Sequence, residues 1–158
     1  MASKLNQFSF FCFGIGYMLP WNAMLAAMDY FTESFPSYKP SFSLLVAVSA
    51  PMLIVQAIVF FFLQYMPLHF KMTSIFGVMS SIVVLDALVP TLVADEATAY
   101  WAIISLAVLL GACMAILQSA LYGSAGPSAE LTNMINLGMG VSGLSINCFR
   151  IADLATLS

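Results

Sequence analysis

Charge is what this chain has least of. Only 7% of its 158 residues are charged, four Lys or Arg against seven Asp or Glu. A water-soluble domain needs far more to clothe its core. The basic residues Lys4, Lys39, Lys71 and Arg150 are scattered, so no basic run exists to meet a nucleic-acid backbone or an anionic lipid surface. Nucleic-acid partners are thereby excluded. Cysteine is scarce as well: Cys12, Cys113 and Cys148 are odd in number and sit in apolar runs without paired-ligand spacing. Neither a disulfide framework nor a zinc site is indicated. The single histidine, His69, lies in a turn beside Lys71. With no Ser/His/Asp set, no paired acid and base and no phosphate-cradling loop, the sequence offers no catalytic, metal or cofactor site, and the chain is read as not an enzyme.

What the sequence has in abundance is apolar side chain, 62% of residues, with a mean hydropathy of +1.00. This predicts an all-α integral membrane protein with the lipid bilayer as its solvent. A spanning helix needs about 20 apolar residues, and five segments qualify: 8–31, 42–65, 72–93, 99–122 and 131–151. They form a single transmembrane bundle, 1–158, with no soluble domain left over. The connections TESFPSYKPS, MPLHFK, ADEAT and GSAGPSAE hold most of the breakers and charges and read as surface turns. The first apolar run is too long for a signal-peptide core of about 7–15 residues, so it is expected to be retained. The four basic residues are split between the two faces, leaving orientation unset.

Within lipid each polar side chain must face protein or a water-lined cavity. In the first segment Pro20 removes a backbone donor opposite Gly16, predicting a kink that re-aims Trp21 and Asn22. Packing of Trp21 and satisfaction of the freed backbone group by Asn22 would explain both equally well. In the fourth segment Gln118 shares a face with Gly111, Ala115 and Tyr122, whose small members admit a neighbouring helix. An interhelical hydrogen bond accounts for Gln118 as readily as a ligand does. In the fifth segment Asn136, Gly140, Gly143, Asn147 and Arg150 recur on one stripe, first of all a packing surface; Asp153 offers Arg150 a partner. Asp86, about two turns from the third connection, is expected to reach interfacial water.

Three of these motifs combine into a resemblance. GIGYMLPWNAMLAAMDYF, Gly14 to Phe31, closely resembles the first-helix signature of the equilibrative nucleoside transporters. The match runs through Gly14, Gly16, Leu19, Pro20, Trp21, Asn22, Ala27, Tyr30 and Phe31. GACMAILQSALYGSAG is similar to that family's fourth helix, and GMGVSGLSINCFRI to its fifth, in the plant and protozoan form. Two departures stand out: Met139 occupies the middle of a triplet that is Gly-Gln-Gly in many members, and Ala152 and Asp153 follow where Thr-Lys is usual.

The resemblance implies a major-facilitator-like transporter. In it the five helices are most of the N-terminal bundle of an eleven-crossing carrier that moves nucleosides, in some members nucleobases, by alternating access. The plasma membrane is the family's usual address. Trp21 would pack on the solute, Met18 and Leu25 would line the same wall, and Gln118 would hydrogen-bond the base. Ser49 and Met52, flanking Pro51, would contribute from the second helix. Gly14, Gly16, Pro20, Asn22, Gly111, Gly140, Gly143 and Arg150 would be structural or gating positions. The missing C-terminal helices, or another chain, would complete the carrier. The alternative is a non-transporting membrane interaction protein, or a remnant that retains the half-transporter fold.

Overall fold

A computed structural model describes the backbone of residues 4–62 and 68–157, and the side chains of 4–59, 72–153, 155 and 156. Among these residues the chain is all helix, with no strand. The elements are α1 (Lys4–Ala26), α2 (Met28–Ser34), α3 (Pro40–Phe62), α4 (Leu68–Leu92), α5 (Glu96–Ala125) and α6 (Ala129–Leu157). Of the expected surface turn 66–71, residues 66 and 67 lie outside the described residues, while the backbone of 68–71 is already helical as the start of α4, so the helix begins earlier than expected. The end of the second expected span at 63–65 and the side chains of His69 and Lys71 lie outside the described residues.

Among the described residues four helices are long and apolar enough to cross a membrane: α1, α3 over Pro40–Val59, α4 over Met72–Leu92, and α5. Five had been expected. The fifth segment does form a helix, α6, but Asn136, Ser142, Ser145, Asn147 and Arg150 dilute its apolar run, and it is not among the four.

The expected first span, 8–31, is not one helix. α1 runs through Pro20, which is buried inside it, and the interruption comes later, at Ala27. Proline has no N–H to give the fourth carbonyl back, but that carbonyl belongs to Gly16, where no Cβ adds to the crowding. Ala27 has φ −84° and ψ 9° and supplies no side-chain cap to α2. Pro20, Trp21 and Asn22 therefore occupy the last two turns of α1 instead of the middle of a span.

Two compact units make up the chain, residues 1–26 with 121–158, and residues 27–120. In the first, α1 packs along α6. The two backbones meet at glycines: a Cβ on Gly14 would stand 2.3 Å from the Ile135 carbonyl oxygen, and one on Gly138 would stand 2.2 Å from that of Phe11. In lipid there is no hydrophobic drive to associate helices, so such close approach, which gathers van der Waals contact, has to hold the pair. The start of α6 is fixed locally. Gly126, at φ 56°, takes the left-handed conformation that ends α5, donating its N–H to the Tyr122 carbonyl. Pro127 follows, and the Ser128 hydroxyl accepts from the Leu131 N–H at 3.5 Å as the cap of α6.

The second unit has a wholly different texture. Its part of α5 buries Ile103, Ala107, Leu110, Met114 and Leu117, spaced 4, 3, 4 and 3 along one face. Beside that stripe Gly111 lies against α3, where a Cβ would come within 2.2 Å of the Val48 carbonyl oxygen. The short α2 packs against α3, burying Phe31 and Phe35. Phe35 meets Tyr100 edge-on, and Tyr38 stacks on Tyr100 at 4.1 Å. The 36–39 connection is tied to the first turn of α5, since the Ser37 N–H and hydroxyl donate to the two Glu96 carboxylate oxygens at 3.1 and 3.2 Å. Asp95 caps α5 by accepting from the backbone N–H of Thr98 at 2.8 Å and from its hydroxyl. These two bonds hold the Asp95 carboxyl below the usual carboxylate range, the side-chain bond contributing most.

Candidate functional site

In the first unit several polar side chains of the α1–α6 pair have partners. Asn22 donates through Nδ2 to the Ser142 hydroxyl at 3.2 Å, and Ser142 is wholly buried. One turn further along α6, Asn147 donates back to the Gly143 carbonyl at 3.0 Å. The Tyr122 phenol donates to Asn136 Oδ1 at 2.6 Å. Towards the opposite end of α1, Gln7 donates to Glu130 at 3.3 Å. A desolvated amide or hydroxyl left unmet costs about 1–3 kcal/mol, so these bonds explain how so polar a helix as α6 tolerates its position.

Beside Asn22 the pair leaves a cavity of about 90 Å³, lined by Asn22, Leu25, Gly143, Asn147 and Arg150 among others. It is small, mixed in polarity and open on one side. Its chemistry is that of hydrogen bonding, with amide residues from both helices and Arg150 in its lining. Sequence reasoning had put Leu25 on the wall of a ligand pocket and Asn22, Gly143 and Arg150 in supporting positions; all four line this one cavity. Met18 and Trp21, three residues apart on α1, are half-buried, and they do not line it. Gly140 is exposed and a Cβ there would meet nothing within 4 Å. The close contact of α6 is made instead at Gly138, two residues earlier and so on the opposite side of the helix.

Ser142 and Gly138 are what the reading of α6 missed. Ser142 is the Ser of a Ser-Gly pair in the fifth-helix motif, and Gly138 is the first glycine of the triplet there. Both were visible, but an eye set to the Gly140, Gly143 and Arg150 stripe passes over positions between its steps.

In the second unit Gln118 is half-buried on α5, one turn beyond Ala115, which is fully buried. A groove of about 670 Å³ runs between the first halves of α3 and α5, lined by Phe42, Val46, Pro51, Ile54, Trp101 and Val108 among others. It is almost wholly apolar. Ser49 and Met52 flank Pro51 in sequence but are not among its lining residues; Ser49 is exposed and Met52 half-buried.

Asp86 departs from expectation. Instead of reaching interfacial water it is buried, 4% exposed, and its Oδ1 has no hydrogen-bond partner among the described residues. Proximity to the end of a helix does not ensure access to water when neighbouring elements cover that turn. Among the described residues no group of three or more His, Cys, Asp or Glu side chains lies together as metal ligands.

No family model matches the chain. It is 26% identical over 151 residues to a protein of Arabidopsis thaliana named equilibrative nucleotide transporter 8. That alignment takes in 93% of this chain and 39% of the relative, so the chain spans about two fifths of the length of the protein it matches.

Proposed function

We propose that the chain forms part of a facilitative carrier that moves nucleosides, by alternating access, across the plasma membrane. The observation that carries this reading is the polar seam of the first unit. An amide from α1 and an amide and guanidinium from α6 surround a hollow beside apolar helices, where packing alone would favour an apolar fill. Its likeness to a named transporter over nearly the whole chain, and the first-, fourth- and fifth-helix motifs, support the same reading. In this proposal Trp21, with Met18 and Leu25 on the same face of α1, supplies an apolar wall for a flat ring. Gln118 supplies donor and acceptor to a base edge, which a single amide can do. Ser49 and Met52 contribute from α3, while Pro20, Asn22, Gly14, Gly16, Gly111, Gly140, Gly143 and Arg150 shape the helices. The remaining helices of the carrier would come from a further part of the protein or another chain.

The relative's name specifies a nucleotide, but the composition here favours an uncharged solute. Four basic residues in 158 leave little to neutralise a phosphate group, which carries about 1.5 to 2 negative charges near neutral pH. Radiolabelled uridine and adenosine uptake by cells expressing the complete protein tests the proposal, with AMP as competitor. Saturable uptake resistant to AMP is expected, and Gln118→Ala at equal surface expression should lower it about tenfold, the worth of about 1.4 kcal/mol. Trp21→Ala should lower it as well. Uptake and selectivity untouched by Gln118→Ala would remove the base-recognition role, and no uptake at all would favour the non-transporting alternative.

A further inference from the structure

Asp86 stands apart from every other acid described in the second unit. Asp29 and Glu33 belong to the short α2, Asp95 lies in the connection before α5 and Glu96 opens that helix. Asp95 is held by Thr98 and Glu96 by Ser37. Asp86 instead lies inside the apolar stretch Met72–Leu92 of α4, among Val84, Leu85 and Leu88, whose side chains are exposed towards the surroundings. It is nearly completely buried, and Oδ1 meets no donor among the described residues.

An ionised carboxylate in such a place needs a cation or several donors, because its desolvation costs several kcal/mol even after relaxation. The unit's described spans hold no Lys, Arg or His, and no donor among the described residues meets Oδ1. α3 carries no titratable side chain in its sequence, and the unit's part of α5 adds to Glu96 only Tyr100, stacked on Tyr38, and Cys113. The phenol of Tyr30 on α2 donates to the backbone carbonyl of the neighbouring Ala87 at 3.4 Å. Lys39 lies outside the helices, in the connection before α3. Lys71 and His69 precede Asp86 on α4 by 15 and 17 residues, roughly 22 to 26 Å along a helix, beyond the reach of any ion pair. What remains is the neutral acid, which needs one modest hydrogen bond where the anion needs a full shell.

We infer that Asp86 is a proton-binding site within the membrane-spanning part of α4, a carboxylic acid that keeps its proton at neutral pH. The proton is the ligand, and Oδ1 is the buried oxygen without a partner among the described residues. The inference stands on the burial and isolation of this side chain, and holds whether or not the chain carries a nucleoside.

Infrared spectroscopy of the full chain in lipid vesicles reads this directly, since a protonated carboxyl and a carboxylate absorb in separate regions. At neutral pH in potassium buffer, subtraction of the Asp86→Asn spectrum from that of the unaltered protein should leave one acid carbonyl band, shifted on exchange into deuterium oxide. Asparagine keeps the size and hydrogen-bonding capacity of the neutral acid, and matching thermal unfolding establishes that both proteins are folded; Asp86→Leu gives a second subtraction if the amide variant is not. A carboxylate band in the difference spectrum, with no acid band, would overturn the assignment. Replacement of the acid band by a carboxylate band when sodium is added at constant pH would also overturn it, in favour of a metal-cation site.

Discussion

The two units solve the same problem in opposite ways. In the first, α1 and α6 carry amides and hydroxyls into the helix pair, and hydrogen bonds from Asn22 to Ser142, Asn147 to Gly143 and Tyr122 of α5 to Asn136 satisfy several of them. In the second, the helices are almost purely apolar and the one deep acid, Asp86, has an oxygen without a partner. Paired polarity specifies which helix faces which, because only one register satisfies both members. A lone polar group specifies nothing about packing and is costly to keep, which is why it points to chemistry. The difference also bears on α6: Ser142 is matched to α1, Asn136 to Tyr122 of α5 and Asn147 to its own helix, and polar residues such as these keep α6 out of the set of described helices apolar enough to span alone.

The comparison breaks most readily at the glycine contacts. Gly138→Leu drives a side chain into the Phe11 carbonyl and should lower stability in detergent by about 3 kcal/mol or more, read as the midpoint of thermal unfolding. Gly140→Leu, where nothing lies within 4 Å, should leave that midpoint nearly unmoved. Equal losses at both positions would show that α6 does not pack as described. Gly111→Leu should do to the second unit, against Val48, what Gly138→Leu does to the first.

Smaller effects sharpen the contrast by their sign. Asn22→Ala strips the buried Ser142 hydroxyl of its donor and should cost about 1 kcal/mol, with a coupling to Ser142→Ala of about 0.6 kcal/mol in a double-mutant cycle. Asp86→Leu should act in the other direction, raising stability by about 1 kcal/mol or more, because it replaces an incompletely satisfied polar group with one that needs no partner. A loss from Asp86→Leu as large as that from Asn22→Ala would mean the acid is as well supported as the amide. Smallest is the cap of α5. Asp95 has its folded value depressed by Thr98, so its contribution is present above its unfolded value of about 3.9 and is lost as pH falls through the lower folded value. Asp95→Ala should remove that acid-side dependence, seen by following unfolding from pH 6 downward.

Much of the architecture could be read before any coordinates. Segment lengths and the turn residues pointed to α3, α4, α5 and α6, with ends one to six residues from those observed, because apolar runs and Gly-Pro-Ser punctuation are local signals. The break at Ala27 was not legible: Ala-Ala-Met is good helix-forming sequence and no capping side chain marks the start of α2, so tertiary surroundings decide it. Nor does a periodicity of three and four say which of two glycine stripes faces inward, and the choice fell on Gly140 where Gly138 makes the contact. The burial of Asp86 depends on what covers one turn of α4, which no window of sequence around it records. For the candidate site, Asn22, Leu25, Gly143 and Arg150 could be singled out as residues; their meeting around one hollow could not.

The partnership of α1 with α6 has a consequence for biosynthesis. Asn22 and Ser142 are 120 positions apart, and translation at about 5–20 residues per second separates them by roughly 6 to 24 s. For that interval α1 sits at the translocon or in lipid with its amide and its glycine groove unmatched, protected only by temporary company. Quality control that surveys nascent membrane proteins for exposed polar groups would meet this one early, and release from such surveillance would come only when α6 arrives.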